Sequence, residues 1–143
     1  MQTDRDFQKQ RVYNWEAENL SAMDTTTIAF DNAQNVVDYV WASMGLKFPP
    51  KVLPLATHRR KAQATGGRGF IHIRPQVSNR MLLHELAHSM TASHDATDGH
   101  GPQFVGIYYK LLERFMGVPG PLMMYTLNKA GVKFDLAAQP WCS

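Results

Sequence analysis

Two histidines and a glutamate make up the part of the sequence best suited to chemistry. The stretch from Leu83 to His88 reads Leu-His-Glu-Leu-Ala-His, which contains the pattern His-Glu-x-x-His. Four residues of an α-helix turn the chain through about 400°, so His84 and His88 lie on one face and could bind one metal ion. Glu85 lies about 100° round the helix, where it could reach a water molecule on that metal without being a ligand.

The residues around this pattern predict a helix inside the protein. They are apolar nearly all round the helix, as is typical of a buried one: Met81, Leu82, Leu83, Leu86, Ala87 and Met90. Imidazole and carboxylate groups at such positions are costly unless they have partners. Metal ligation would supply these partners, and the alternative is a helix whose two histidines are hydrogen-bonded within the core.

A hydrolytic zinc site usually has three protein ligands and one position for water, so a third ligand is needed. His94 has the spacing of the metzincin motif HExxHxxGxxH, but Thr91 stands where that motif has glycine, and a β-branched residue is poor in a left-handed turn. If the helix continues, His94 faces away from His88. His100 lies between two glycines, with enough chain to return to the metal, and is favoured. The remaining candidates are His94 and the carboxylates Asp95, Asp98 and Glu113.

Helices are predicted on both sides of this motif. Residues 4–20 are expected to form the first helix, with Val12, Trp15 and Leu20 on its apolar face. A second helix is predicted to start with Asp31 as N-cap and Gln34 as a capping-box partner, and to end at Gly45. Its core stripe comprises Ala33, Val36, Val37, Val40, Trp41 and Met44.

The chain between residues 51 and 74 has the pattern of short strands. An edge strand is predicted over 51–58, where Pro54 interrupts the apolar run, and a hairpin over 61–65 and 69–74 around two glycines. Ser78 or Asn79 is expected to cap the helix that carries His84. That helix is predicted to reach about Ser93.

Two more helices are predicted in the C-terminal part of the chain. The first begins with Pro102 at its first position and ends at Gly117. The second covers residues 121–130, and a short strand is expected over 132–136, followed by a tail over about 137–143. We therefore expect a single α+β domain, residues 1–143, in which a small, mainly antiparallel sheet packs against the His84 helix.

Composition narrows the functional classes. Of the 143 residues, 44% are hydrophobic, which suits a globular protein, and no run of eighteen apolar residues predicts a membrane span. The first ten residues lack the apolar core of a secretory signal, so a cytoplasmic location is expected. Cys142 is the only cysteine, so any metal site must use His, Asp or Glu. A net charge of +3 permits nucleic-acid binding without arguing for it, and the basic run His58–Lys61 is interpreted as a solvated strand edge.

Two further stretches carry a family resemblance. The sequence Arg-Asp-Phe-Gln-Lys-Gln-Arg-Val-Tyr over residues 5–13, the His-Glu-x-x-His pattern, and His-Gly-Pro-Gln-Phe over residues 100–104 resemble a family of small bacterial and phage HExxH metallohydrolases. The resemblance covers roughly residues 5–132. The His-Gly-x-x-Phe pattern is also similar, more distantly, to SprT-like metallopeptidases, in which that histidine is the third zinc ligand. This resemblance implies His100 as a ligand, a zincin-like fold and a hydrolase activity, but no substrate, and the missing cysteine zinc ribbon argues against a role in DNA repair.

The expected function is therefore zinc-dependent hydrolysis of peptide bonds. Zinc on His84, His88 and His100 would lower the pKa of a bound water, and Glu85 would act as general base. Candidate donors to the oxyanion are His94, Tyr108 and Tyr109, although core packing is favoured for both tyrosines. An extended peptide or protein substrate could pair with residues 69–74 as an exposed strand edge. The alternative is a metal-stabilised binding or regulatory module without turnover, acting on a host or phage protein or nucleoprotein.

Overall fold

The computed structural model describes residues 8–55, 64–66, 69–91 and 99–141. Within these ranges the protein has five α-helices, α1 (Lys9–Asn19), α2 (Phe30–Ser43), α3 (Asn79–Thr91), α4 (Pro102–Met116) and α5 (Gly120–Lys129), and a 3-10 turn at Ser21–Met23. It also has five short strands, β1 (Thr27–Ala29), β2 (Lys51–Pro54), β3 (Ala64–Gly66), β4 (Phe70–Ile73) and β5 (Gln76–Ser78). The predicted α+β class is confirmed. None of the described helices is long and apolar enough to cross a membrane.

The strands form two small sheets. Strands β1 and β5 pair antiparallel, and a three-stranded sheet has the order β2-β4-β3, with β4 parallel to β2 and antiparallel to β3. The antiparallel β3–β4 pairing confirms the predicted hairpin, although Gly66, predicted for its turn, belongs to β3. Residues 61–63 of the first predicted arm and Gly67 lie outside the described residues. The prediction of a mainly antiparallel sheet from residues 51–74 is wrong, because that sheet is mixed. The sequence does not predict β1 and β5, since three residues are too few to show a period of two.

Strand β4 is the centre of its sheet. It pairs on one side with β2 and on the other with β3, and Ile71 and Ile73 are almost completely buried. The prediction that residues 69–74 form an exposed edge is therefore wrong. The alternation of side chains along a strand indicates which face is buried, but it carries no information about which strands lie on either side.

Helix α2 has the predicted core face but not the predicted start. Ala33, Val37, Val40 and Trp41 are buried, whereas the helix begins at Phe30 after Ala29, so the prediction of Asp31 as N-cap is wrong. Gln34 does not cap the helix either. Its side chain accepts a hydrogen bond from the Val52 N–H at 2.8 Å and donates one to the Pro50 carbonyl at 3.0 Å, which joins α2 to β2.

Helix α3 is almost completely enclosed. The predicted cap is confirmed, because the Ser78 hydroxyl accepts a hydrogen bond from the Met81 N–H at 3.1 Å. Five apolar side chains are 0% exposed, and α4 is the helix that packs against α3 most extensively: Leu82, Leu83, Leu86, Ala87 and Met90. Thr91, which stands where a metzincin motif has glycine, is the last described residue of the helix, and its hydroxyl donates to the Ala87 carbonyl. The predicted extension to Ser93 lies outside the described residues.

The C-terminal part of the chain returns to α3. Residues 132–136 do not form the predicted strand. The residues predicted as a tail make specific contacts as far as Trp141, whose backbone N–H donates to the Met90 carbonyl at 2.9 Å. The Trp141 indole N–H donates to the Ser89 carbonyl at 2.6 Å. Two carbonyls in the last turn of α3, which lack partners within a helix, are satisfied in this way.

Gly106 is expected to be essential for the packing of this C-terminal segment against α4. An added Cβ would lie well under 3.0 Å from the backbone carbonyl of Asp135, which cannot rotate away as a side chain can. Gly106→Ala should therefore lower the free energy of unfolding by about 1–3 kcal/mol, although helix propensity alone predicts a gain of roughly 1 kcal/mol. Denaturant unfolding would measure this change. Gly69→Ala is the control because a Cβ added at Gly69 would meet no atom within 4 Å, and an equal effect of both variants would contradict the packing argument.

Candidate metal centre

Three histidines bring their ring nitrogens together at the contact between α3 and α4. His84 and His88 lie one turn apart on α3, and His100 lies two residues before the start of α4. The Nε2 atom of His100 is 3.2 Å from Nε2 of His88 and 3.3 Å from Nε2 of His84. Nitrogen ligands about 2.0–2.1 Å from a tetrahedral zinc ion are roughly 3.3 Å apart. These two separations therefore fit one such ion, and the ligand atoms of all three residues lie within 4.8 Å of one another, so this group could bind a metal.

The environment of His88 favours the neutral form that binds metal. Burial first, and then the neighbouring His84 and His100, lower the pKa of His88 to about 2, so this ring is neutral at pH 7. The Nδ1 atom of His84 lies 2.6 Å from Oε2 of Glu16, a carboxylate that can only accept. This contact assigns the proton to Nδ1 and leaves the Nε2 lone pair directed towards the other two rings. Lone pairs that converge at 3.2–3.3 Å repel each other unless a proton or a cation lies between them.

Aromatic side chains restrict the orientation of the histidine rings. The Phe104 ring stacks on His88 with centroids 4.3 Å apart and planes at 22°. Tyr13 from α1 packs edge-on against His100 with centroids 5.1 Å apart. His84 and His100 are only 4% and 6% exposed, so little water can compete for their nitrogens. A fixed ring orientation lowers the entropic cost of bringing ligands to a metal.

Gln8 holds the backbone at His100. Its side-chain amide donates to the carbonyls of His100 and Lys133, both at 2.9 Å, and accepts from the Lys133 N–H at 2.8 Å. Gln8 is 0% exposed, and its contacts join the start of α1, the residue before Gly101, and the segment after α5. The position of His100 is therefore determined by hydrogen bonds from parts of the chain far away in sequence.

Glu16 is the residue of the centre that the motifs of the sequence do not reveal. It lies on α1 and is 7% exposed. Burial by itself raises the pKa of Glu16, but the hydrogen bond and electrostatic attraction of His84, followed by the charge of Arg80, outweigh it and hold this pKa below its usual range. The sequence does contain a sign that Glu16 is buried. Gln8 and Glu16 lie four residues before and after Val12, so the two polar residues share a helix face with this apolar one. Polar residues on a buried face need partners.

The other residues predicted for the site are not members of the histidine group. Glu85, which follows His84, is 7% exposed. Tyr108 is completely buried and its hydroxyl donates to Glu16 at 2.7 Å, while burial first and then the charge of Glu16 raise its pKa. Tyr109 is also buried, so core packing is confirmed for both tyrosines. Glu113 is exposed on α4 and is not part of the histidine group. The remaining candidates lie outside the described residues: His94, Asp95 and Asp98.

Comparison with known proteins adds no family to these observations. No protein-family model, curated protein or solved structure matches the chain. The resemblance to small HExxH metallohydrolases therefore stays a prediction. The three histidines and the residues that hold them are the basis for a functional proposal.

His100→Ala should weaken zinc binding far more than His94→Ala. Loss of a residue that only orients a ligand typically costs roughly 10–100-fold in affinity, so loss of a ligand itself should cost more than that. Competition with a chromophoric chelator would measure both dissociation constants. A larger effect of His94→Ala would contradict the assignment and would favour metzincin spacing.

Proposed function

We propose that the protein is a zinc-dependent metallopeptidase with a zincin-like fold, in which His84, His88 and His100 hold the metal and Glu85 is the general base. The observation that carries this proposal is the convergence of three histidines, in which Nε2 of His100 lies at separations suited to tetrahedral zinc from Nε2 of both His84 and His88. The metal would supply a Lewis acid that polarises the scissile carbonyl and makes water a stronger nucleophile near neutral pH.

Glu85 is suited to move the proton in this reaction. It follows His84 on α3, about 100° round the helix, so its side chain lies beside the ligand face without sharing it. Its carboxylate would take the proton of the attacking water and deliver it to the leaving amine. A buried carboxylate next to a metal site is costly for stability, and general-base catalysis gives a reason for its presence there.

The number of ligands supports an enzyme more than a non-catalytic metal-stabilised module. Among the residues that the structure describes, the metal-binding group has three members, all of them histidines. Structural zinc sites are usually closed by four protein ligands, whereas catalytic sites have three and leave one position for water or substrate. With the three ligands found in the described part of the chain, the fourth position would be left for water or substrate.

A different strand from the one predicted is suited to bind an extended peptide. Strand β4 is paired on both sides, but among the described strands β3 lies at one end of the three-stranded sheet and also packs against α3. Its outer backbone edge is a candidate for pairing with a substrate by β-augmentation. This placement would bring the substrate alongside the helix that carries His84 and Glu85.

The purified protein is expected to contain about one zinc ion per chain, and chelation should lower its melting temperature. A ligand that binds only the folded state stabilises it by about 4 kcal/mol when present at 1,000 times its dissociation constant. Elemental analysis and thermal denaturation with and without chelator would measure both effects. Fully folded protein that takes up no metal at His84 and His88 would refute the proposal.

Glu85→Gln should abolish most turnover without removing the metal. The substitution keeps the size of the side chain and removes the base, so turnover should fall by about 100-fold or more. Zinc content and the free energy of unfolding should change little. Cleavage of unfolded proteins, of a peptide library and of DNA-bound protein would be measured with equal zinc loading.

Glu18→Gln is the matched control, because Glu18 is an exposed residue of α1. Cleavage by the parent and this control, but not by Glu85→Gln, would support a peptidase. Equal cleavage by all three would indicate a contaminating protease. A zinc-loaded parent that cleaves none of these substrates would refute the peptidase and favour the binding module.

A further inference from the structure

One oxygen atom of Glu16 accepts hydrogen bonds from three different side chains. Its Oε2 lies 2.6 Å from Nδ1 of His84, 2.7 Å from the hydroxyl of Tyr108 and 2.9 Å from Nη1 of Arg80. Arg80 is additionally fixed by Asp24, which accepts from its Nε at 3.2 Å. Side-chain exposure is 8% for Glu16 and 15% for Arg80, so water weakens these contacts little.

The Glu16–His84 contact has a defined effect on a metal at Nε2. A carboxylate that accepts from Nδ1 orients the ring and raises the basicity of the opposite nitrogen. Because the two ring nitrogens belong to one conjugated system, negative charge on Glu16 strengthens the Nε2 lone pair. The gain in metal affinity depends on how much electron density Oε2 of Glu16 directs to His84 rather than to Tyr108 and Arg80.

Arg80 opposes this effect in two ways. Its guanidinium is always charged and draws electron density from the same oxygen that His84 uses. Its positive charge also repels a divalent cation held on the far side of the His84 ring. At a separation of about 8 Å, a unit charge and a divalent ion repel enough to change affinity roughly fivefold even at the dielectric constant of water.

We propose that Glu16 and Arg80 are a pair of positioning residues with opposite effects on metal affinity, in which Glu16 strengthens the His84 ligand and Arg80 limits that gain. This inference rests on the proposed metal centre. By weakening the donation from His84, Arg80 would leave more positive charge on a bound metal, which would then be a stronger Lewis acid towards a substrate carbonyl. Arg80 also holds Glu16 in place when no metal is bound. Arg80 should therefore raise the stability of the metal-free protein while it lowers the metal affinity.

The test measures zinc dissociation constants and metal-free stability for two substitutions. Glu16→Gln should weaken zinc binding by about 10–100-fold. Arg80→Gln should tighten it by about fivefold while lowering the melting temperature of the metal-free protein, because Arg80 loses its contacts to Glu16 and Asp24. Arg80→Lys keeps the charge and should leave the zinc dissociation constant within about twofold of the parent.

Two exposed residues provide matched controls, Glu18→Gln on α1 and Arg114→Gln on α4, which make the same charge changes away from the histidine group.

Tyr108→Phe is a second test of the argument that the donors to Glu16 compete for its Oε2 atom. It removes an uncharged donor from Glu16 with little change in shape, and it should tighten zinc binding by roughly twofold. This variant keeps the proposal testable if Arg80→Gln does not fold.

The outcomes separate this inference from the proposed metal centre. Weaker binding with Glu16→Gln and tighter binding with Arg80→Gln or Tyr108→Phe would support it, since a purely structural role would weaken binding in every case. Weaker binding in all these variants, or no change in any of them while His100→Ala still loses zinc, would overturn the inference and leave the metal centre intact. A parent protein that binds no zinc would overturn both.

Discussion

The carboxylate of Glu16 is the contact that ties the histidine group to three helices. It joins α1 to α3 through His84 and Arg80 and to α4 through Tyr108, all by hydrogen bonds of 2.6–2.9 Å. A buried carboxylate is costly to desolvate, so such a network contributes little net free energy to stability. Removal of one of its partners is nevertheless strongly destabilising, because it leaves a buried charge without compensation. In the observed arrangement of the three helices, His84, Tyr108 and Arg80 all donate to this carboxylate.

The histidine group is assembled from several parts of the chain. Helix α3 supplies two of its nitrogens, and the residue before Gly101 supplies the third. Gln8 and Glu16 hold two of these ligands from α1, and Trp141 satisfies two carbonyls at the end of α3. Because contacts of long sequence separation determine the ligand positions, a metal bound there would stabilise the tertiary structure as a whole rather than one loop.

The centre combines features that are unfavourable for stability and favourable for function. Three imidazole rings bring their Nε2 atoms together in a largely buried region, where electrostatic interactions are stronger than in water. Glu85 adds a carboxylate on the same helix. Groups that would oppose folding on their own are characteristic of functional sites, since the surrounding core supplies the stability that the site costs. In this protein the apolar side chains of α3 that are 0% exposed belong to that core: Leu82, Leu83, Leu86, Ala87 and Met90.

The helices and the ligand pattern could be predicted from the sequence because each depends on residues close together in the chain. The four-residue spacing of His84 and His88, the Ser78 cap and the proline at the start of α4 are all local signals, and each has the predicted helical setting. The central position of β4, the parallel pairing with β2 and the role of Glu16 depend instead on neighbours distant in sequence. Side-chain periodicity specifies which face of an element is buried, but only tertiary packing decides what that face contacts.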